Sequence, residues 1–262
     1  MVSDPVLEVR DLSVAFGGIR AVDGISFDVM PGEIFSIIGP NGAGKTSVIN
    51  LISRVYDAQT GSVRLMGQEI GRRPAHIVAR RGVARTFQNI ELFERATVLQ
   101  NLLLGCYGSR RTTLWEEFAF LPRAFRQEEE SRRRVEEVID FLEIQQYRDQ
   151  LAGSLPYGVR KVVELARALV PQPKLLLLDE PSSGLNVEET DDMIFWIRDI
   201  RDQLGVTVVM IEHDMRLVGA VSDRVMAMAQ GRLLKLGAPR EVQTDPTVIE
   251  AYLGRKQRHE AA

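Results

Sequence analysis

One cysteine, Cys106, stands among 262 residues, so no internal disulfide can form. Such usage fits a reducing compartment. Within Leu102-Leu103-Leu104-Gly105-Cys106 the thiol reads as a small buried filler. Long apolar runs are missing too. No run approaches a bilayer span: Lys174-Leu175-Leu176-Leu177-Leu178, for one, stops at Asp179. Met1-Val2-Ser3-Asp4-Pro5 lacks the charged-then-apolar layout of a secretion signal. There is little excess of charge: a formal net charge of -3 gives no field that would gather nucleic acid over the surface. No repeat recurs at a solenoid period. What remains is an ordinary globular composition, 45% hydrophobic and 26% charged, in a chain long enough for one large domain or two small ones. A soluble, cytosolic protein is expected, which leaves docking on a membrane protein open.

The most specific stretch present is Gly39-Pro40-Asn41-Gly42-Ala43-Gly44-Lys45-Thr46. It has the P-loop spacing G-x-x-x-x-G-K-[ST]. Ile34–Ile38 before it reads as a buried strand. Lys45–Ser53 after it reads as a helix carrying Val48, Ile49, Leu51 and Ile52. The glycines let the backbone curl its N–H groups inward, and the helix start adds a positive dipole end. Lys45 is placed to reach terminal phosphates and the Thr46 hydroxyl to hold magnesium, with Ser47 beside it. A nucleoside triphosphate is the expected ligand.

Around this motif the first third reads as strands near Leu7–Phe16, Ile25–Val29 and Ser62–Met66. From about Leu92 to Gly153 the pattern turns helical and charge-rich. After Pro173 it alternates: strand at Lys174–Leu178, helix at Glu188–Leu204, strand at Val206–Ile211. A hairpin turn is expected at Gln230-Gly231 and a short last helix at Pro246–Leu253. The tail from Arg255 to His259 reads as polar and frayed. The simplest architecture is an α/β nucleotide-binding core interrupted by a helical insert. The division expected is a first core part over 1–91, a helical subdomain over 92–159, a second core part over 160–240, and a C-terminal helix and tail over 241–262.

A second candidate site is Leu175–Leu178 followed by Asp179-Glu180. Adjacent carboxylates at the end of a buried strand are costly unless they have ionic partners. Asp179 suits a magnesium-steadying role and Glu180, one backbone position on, suits a general base. The same Asp-Glu-Pro can also simply end a strand. Gln88 closes the strand expected over Val83–Phe87, where its amide suits a metal or a water. His213 follows Val206–Ile211 and suits contact with a terminal phosphate. Taken alone, Gln88 reads equally as a solvated loop residue, and His213 as a packed one.

With these stations in order, the chain resembles the ATP-binding cassette of ABC transporters over about residues 6 to 240. Phe16 matches the aromatic that stacks on adenine, Gly39–Thr46 Walker A and Gln88 the Q-loop. Leu155-Pro156-Tyr157-Gly158-Val159 matches the signature, Leu175–Glu180 Walker B, Ser183-Gly184-Leu185-Asn186 the D-loop and His213 the switch histidine. The resemblance implies a P-loop NTPase (RecA-like) core with an antiparallel β subdomain and an inserted α-helical subdomain. It implies ATP and Mg2+ as ligands, with Thr46, Gln88 and Asp179 on the metal and Lys45, Gln88, Glu180 and His213 in catalysis. Two cassettes of this family pair head to tail, so Tyr157 and Gly158 are expected to meet the partner's nucleotide.

The signature departs from the usual Leu-Ser-Gly-Gly-Gln. Pro156 brings neither hydroxyl nor N–H, Tyr157 replaces a glycine and Val159 the glutamine. With a helix expected over Arg160–Leu169, contact in trans is expected to rest on Gly158 N–H and the helix dipole.

A finer resemblance, to the ATPase subunit of branched-chain amino acid importers, is carried by six segments. They are Phe16-Gly17-Gly18, Arg85-Thr86-Phe87-Gln88, Tyr157-Gly158, Ser183–Asn186, Ile211-Glu212-His213-Asp214-Met215 and Ala251-Tyr252-Leu253-Gly254. It implies a peripheral protein on the cytoplasmic face of the inner membrane. Its partners would be a second ATPase (homodimer or heterodimer), integral membrane permease subunits and, indirectly, a periplasmic solute-binding protein; nucleic acid is not expected. The insert bearing Trp115, Phe118, Phe120, Leu121, Pro122 and Phe125 is a candidate receiver of the membrane subunits, or an ordinary helical core. Urea or amide uptake and lipopolysaccharide export are the alternatives within the family. A soluble ABC ATPase of DNA repair or translation commonly has tandem cassettes, zinc-binding cysteine pairs or long coiled coils, and none is present. A GTPase would need Asn-Lys-x-Asp, which is missing.

Overall fold

Alternating burial along Leu7–Phe16 (β1) gives a strand with one face on the core, and Ile19–Val29 (β2) pairs antiparallel to it. In contrast, Ile34–Ile38 (β3), Leu175–Asp179 (β7) and Thr207–Ile211 (β8) are buried at every position, as parallel strands covered on both faces must be. A computed structural model describes residues 4–109 and 122–259. The chain divides into two compact units, one formed by the segments up to Arg85 and from Lys174, the other by Thr86–Pro173.

The first unit holds two sheets. β1, β2, Thr60–Leu65 (β4) and Gln68–Glu69 (β5) form an antiparallel sheet in the order β2-β1-β4-β5. Val83–Arg85 (β6), β7, β8, β3, Arg224–Ala229 (β9) and Arg232–Gly237 (β10) form the second, in the order β10-β9-β3-β8-β7-β6. Every neighbouring pair in it is parallel except the β9–β10 hairpin. That hairpin turns at Gln230 and Gly231, both with positive φ as a two-residue turn of this hand requires. Between the sheets lies Lys45–Ile52 (α1), whose Val48, Ile49, Leu51 and Ile52 share one core cluster with Leu7, Val9, Phe35, Ile37 and Leu177. The remaining helices of this unit are Ala75–Arg80 (α2), Val187–Asp202 (α6), Met215–Val221 (α7), Pro239–Gln243 (α8) and Pro246–His259 (α9). The last runs six residues beyond the expected Leu253.

The second unit is helical in its described residues: Val98–Gly105 (α3), Pro122–Phe141 (α4) and Tyr157–Leu169 (α5), with short 3-10 turns at Gln145–Tyr147 and Ala152–Ser154 between α4 and α5. Thr97 caps α3 reciprocally with Gln100, the arrangement that satisfies two orphan amides at once. Gly105 lies where α3 meets α5, since a Cβ there would come within 2.7 Å of Arg167 O. Cys106 is buried, as its apolar neighbours imply. Of the aromatic insert, Trp115, Phe118, Phe120 and Leu121 lie outside the described residues, while Pro122 and Phe125 fall on α4.

Two further boundaries, the end of β6 and the start of α5, also differ from the sequence expectation. β6 ends at Arg85 rather than continuing to Phe87, because the next main-chain groups leave the ladder for side chains: Phe87 N–H donates to Glu164 Oε1 and Gln88 O accepts from Lys161 Nζ. α5 begins at Tyr157 rather than Arg160. Pro156, at φ -54° and ψ 152°, takes the position before the first helical residue, and Arg160 N–H closes the first turn on Pro156 O at 3.0 Å.

Candidate nucleotide site

Parallel order places the chemistry. The P-loop follows the carboxyl end of β3, Asp179 ends β7 with Glu180 just after it, and Glu212 and His213 follow β8. All three strands are neighbours in one sheet, so residues distant in sequence emerge at one edge, where α/β folds bind ligands.

The P-loop backbone is held by close approach. Gly39 has φ +153°, and a Cβ on it would meet Met228 O at 2.2 Å. Gly44, at φ +100°, would meet Ala21 O at 2.0 Å. The hairpin turn secures the loop from outside, Gly231 N–H donating to Ala43 O at 2.9 Å. The start of α1 has no side-chain cap and no acidic residue in its first turn, whereas Asn186 caps α6 and Asp214 caps α7. A helix start without a side-chain cap is of the kind whose main-chain N–H groups suit a phosphate. Lys45 is buried and donates to Gly39 O at 2.7 Å and Pro40 O at 3.2 Å. Thr46 is exposed on the first turn, with Ser47 half-buried after it. Pro40, Asn41, Gly42 and Ala43 also face a cleft of about 930 Å³ closed by β10 and α9.

Glu180 leaves the strand by a turn rather than by strand alternation. Its φ is +53°, a left-handed conformation costly for a residue with a Cβ. Its N–H donates to Ile211 O at 3.0 Å. The turn aims the carboxylate at His213, whose Nε2 lies 2.8 Å from Glu180 Oε1 and donates when that nitrogen carries the proton. Asp179, by contrast, is buried and paired with Arg85 at 2.9 Å. Thr46 and Asp179 offer hard oxygen donors of the kind magnesium takes alongside phosphate oxygens.

Two contributors escaped the sequence reading. Arg85 bridges β6, α1 and β7: besides Asp179 it donates to Asn50 Oδ1 at 2.6 Å and Ser53 Oγ at 3.0 Å. An arginine inside a strand paired with β7 was the signal, since its charge demands a carboxylate. Glu212, buried, accepts from Ser182 N–H at 2.8 Å with one oxygen, and from His213 N–H at 2.8 Å and Asp214 N–H at 3.2 Å with the other. It ties the loop after Glu180 to the loop bearing His213. At the end of β1, Phe16 is 45% exposed and meets Tyr56 edge-to-face at 5.0 Å.

The helical unit carries the other expected residues. Gln88 lies in a loop past β6, exposed. Tyr157 and Gly158 are the first two residues of α5; the tyrosine is exposed and the glycine buried. α5 also lacks a side-chain cap.

Residues 22–183 match the family profile described as ABC transporter. The chain belongs to this ABC transporter family. Within it, residues 236–256 match the profile of branched-chain amino acid ATP-binding cassette transporters. The high-affinity branched-chain amino acid transport ATP-binding protein BraF of Pseudomonas aeruginosa is 40% identical over 96% of this chain and 99% of its own. Its counterpart LivG of Escherichia coli is 38% identical over the same shares. The ADP conformation of an ABC transporter ATP-binding cassette superposes with a TM-score of 0.84, at 30% identity, over 96% of this chain and all of that one. This ABC cassette accordingly has the P-loop NTPase fold of its relatives and is a nucleotide-binding protein. No described helix is long and apolar enough to cross a membrane.

Proposed function

We propose that this cassette hydrolyses ATP to drive an importer of branched-chain amino acids. The observation that carries the proposal is end-to-end similarity to BraF and LivG, each named for that transport, together with the matching C-terminal profile.

In this reading Phe16 stacks on adenine, and the amides of Gly39–Ser47 with the uncapped start of α1 bind the phosphates. Lys45 exchanges its carbonyl partners in the P-loop for phosphate oxygens. Thr46, Asp179 and Gln88 hold magnesium, which supplies charge neutralisation on the phosphoryl group when bound. Glu180 takes the proton of the attacking water, and His213 orients its carboxylate. Arg85 fixes the Asp179 carboxylate by a buried pair. Gln88 follows changes in the helical unit, while Tyr157 and Gly158 meet the nucleotide held by a second cassette. The core and helical divisions serve these two tasks, and the protein sits on the cytoplasmic side of the membrane through permease subunits fed by a solute-binding protein.

Cargo is tested by uptake in a strain lacking the gene. Loss of labelled leucine uptake, restored by the wild-type chain but not by Lys45→Ala, is expected. Unchanged leucine uptake with lost urea uptake would transfer the assignment to the amide importers.

A further inference from the structure

Three charged side chains of α5 end on one main-chain segment of the same unit. Glu164 Oε1 accepts from Phe87 N–H at 3.3 Å. Lys161 Nζ donates to Gln88 O at 3.1 Å, and Arg167 Nη1 donates to Glu91 O at 2.6 Å. Spacing explains how one helix does this: 161, 164 and 167 recur every three residues and share a face. The contacts are not surface ornament. Lys161 is 4% exposed and Glu164 2%, burial that charged side chains tolerate only when paired and hydrogen-bonded. Burial pushes the Glu164 carboxyl up from its ordinary range, while the Phe87 amide and the charges of Lys161 and Arg167 pull it back. A fourth, more exposed link joins Arg160 to Glu94 at 3.2 Å.

The segment so held has no helix or strand of its own from Thr86 to Glu91. Its main-chain polar groups still need partners, and α5 supplies them. Helix and segment therefore move as one body: displacing α5 breaks three hydrogen bonds, two to nearly inaccessible side chains, unless the segment follows. The first turn of α5 is Tyr157 and Gly158, and the held segment contains Gln88.

We propose that Lys161, Glu164 and Arg167 are positioning residues that clamp the Gln88 loop to the signature helix, so that engagement of the signature sets the place of Gln88. The clamp rests on the roles given above to Gln88 and the signature. It differs from them in concerning residues to which that reading gives no contact with nucleotide or metal.

The test is amide hydrogen exchange over residues 86–92 of the full-length chain, together with ATPase kinetics. Glu164→Ala should exchange there at least about tenfold faster than wild type. Its kcat should fall about tenfold with KM for ATP within about twofold. Glu164→Gln keeps an oxygen acceptor for Phe87 N–H and should restore both. Should Glu164→Ala lose the native circular dichroism, Arg167→Leu decides, because that side chain is half-exposed and its removal is mild. Exchange over 86–92 in Arg167→Leu equal to wild type overturns the clamp, as does a kcat loss in Glu164→Ala without local exchange. A wild-type chain that hydrolyses no ATP refutes the proposed function instead, and the exchange experiment still judges the clamp.

Discussion

Burial decides how individual side chains at this site behave. Asp179 and Arg85 both lie almost wholly out of solvent, and each is tolerated there because of the other. Arg85→Met should therefore lower the unfolding free energy by about 3–5 kcal/mol, since it leaves a buried carboxylate without its cation. Denaturant titration of wild type and variant checks this, and a loss under about 1 kcal/mol would mean that water reaches Asp179 in the native state. Glu180 is governed differently. Its left-handed backbone carries strain that the hydrogen bonds to Ile211 O and His213 offset, and strain at such a position accompanies function more often than packing. The apolar runs before Glu180 and His213 marked both as residues at strand ends, while the parts given to them came from the family resemblance. Arg85 and Glu212 were harder to see: their importance comes from partners 94 and 30 residues away, and no local pattern encodes those distances.

Helices and strands show where local pattern suffices. α6, β7 and β8 lie within two residues of their expected bounds, because apolar periodicity and the Asn186–Glu189 capping box are properties of contiguous sequence. The end of β6 and the start of α5 lay elsewhere, and for related reasons. A strand stops when its main-chain groups find side-chain partners, and those of Phe87 and Gln88 sit on α5, more than seventy residues on. α5 starts early because Pro156 fits the position just outside the first turn, so the departures at 156 and 157 extend the helix toward the loop rather than shorten it. One consequence concerns the signature. With the first turn beginning at Tyr157 and no side chain capping it, the amide dipoles already point outward, so a serine hydroxyl adds little. Pro156→Ser should change turnover by less than about fivefold, the scale of a single dipole or capping contact. ATPase assays at saturating ATP check this; an increase beyond about tenfold would mark the native loop as catalytically impaired.

On the scale of the whole molecule, strand order is what converts scattered motifs into a site. β3, β8 and β7 stand side by side although β3 and β7 are separated by well over a hundred residues, and that adjacency brings P-loop, His213 and Glu180 to one edge. The motifs and their sequence order were legible; the pairing register was not, since buried parallel strands read as near-identical apolar runs. In the proposed mechanism the signature serves the nucleotide of a second cassette, so ATP must bring two chains together. Blocking cleavage while preserving binding should make that association visible. Glu180→Gln keeps the size and hydrogen-bonding ends of the side chain but abolishes its use as a base, a loss of about 10²–10⁴-fold in rate. With Mg-ATP this variant should migrate at about twice the 29.4 kDa of the chain in size exclusion with light scattering, and at the monomer mass without nucleotide. Adding Lys45→Ala, which removes a phosphate ligand, should abolish the shift. If the shift needs the companion ATPase subunit, the transporter is built on a heterodimer. If neither mixture dimerises while ATP is bound, head-to-tail pairing is wrong for this chain. The hydrolytic role of Glu180 would then stand on turnover alone.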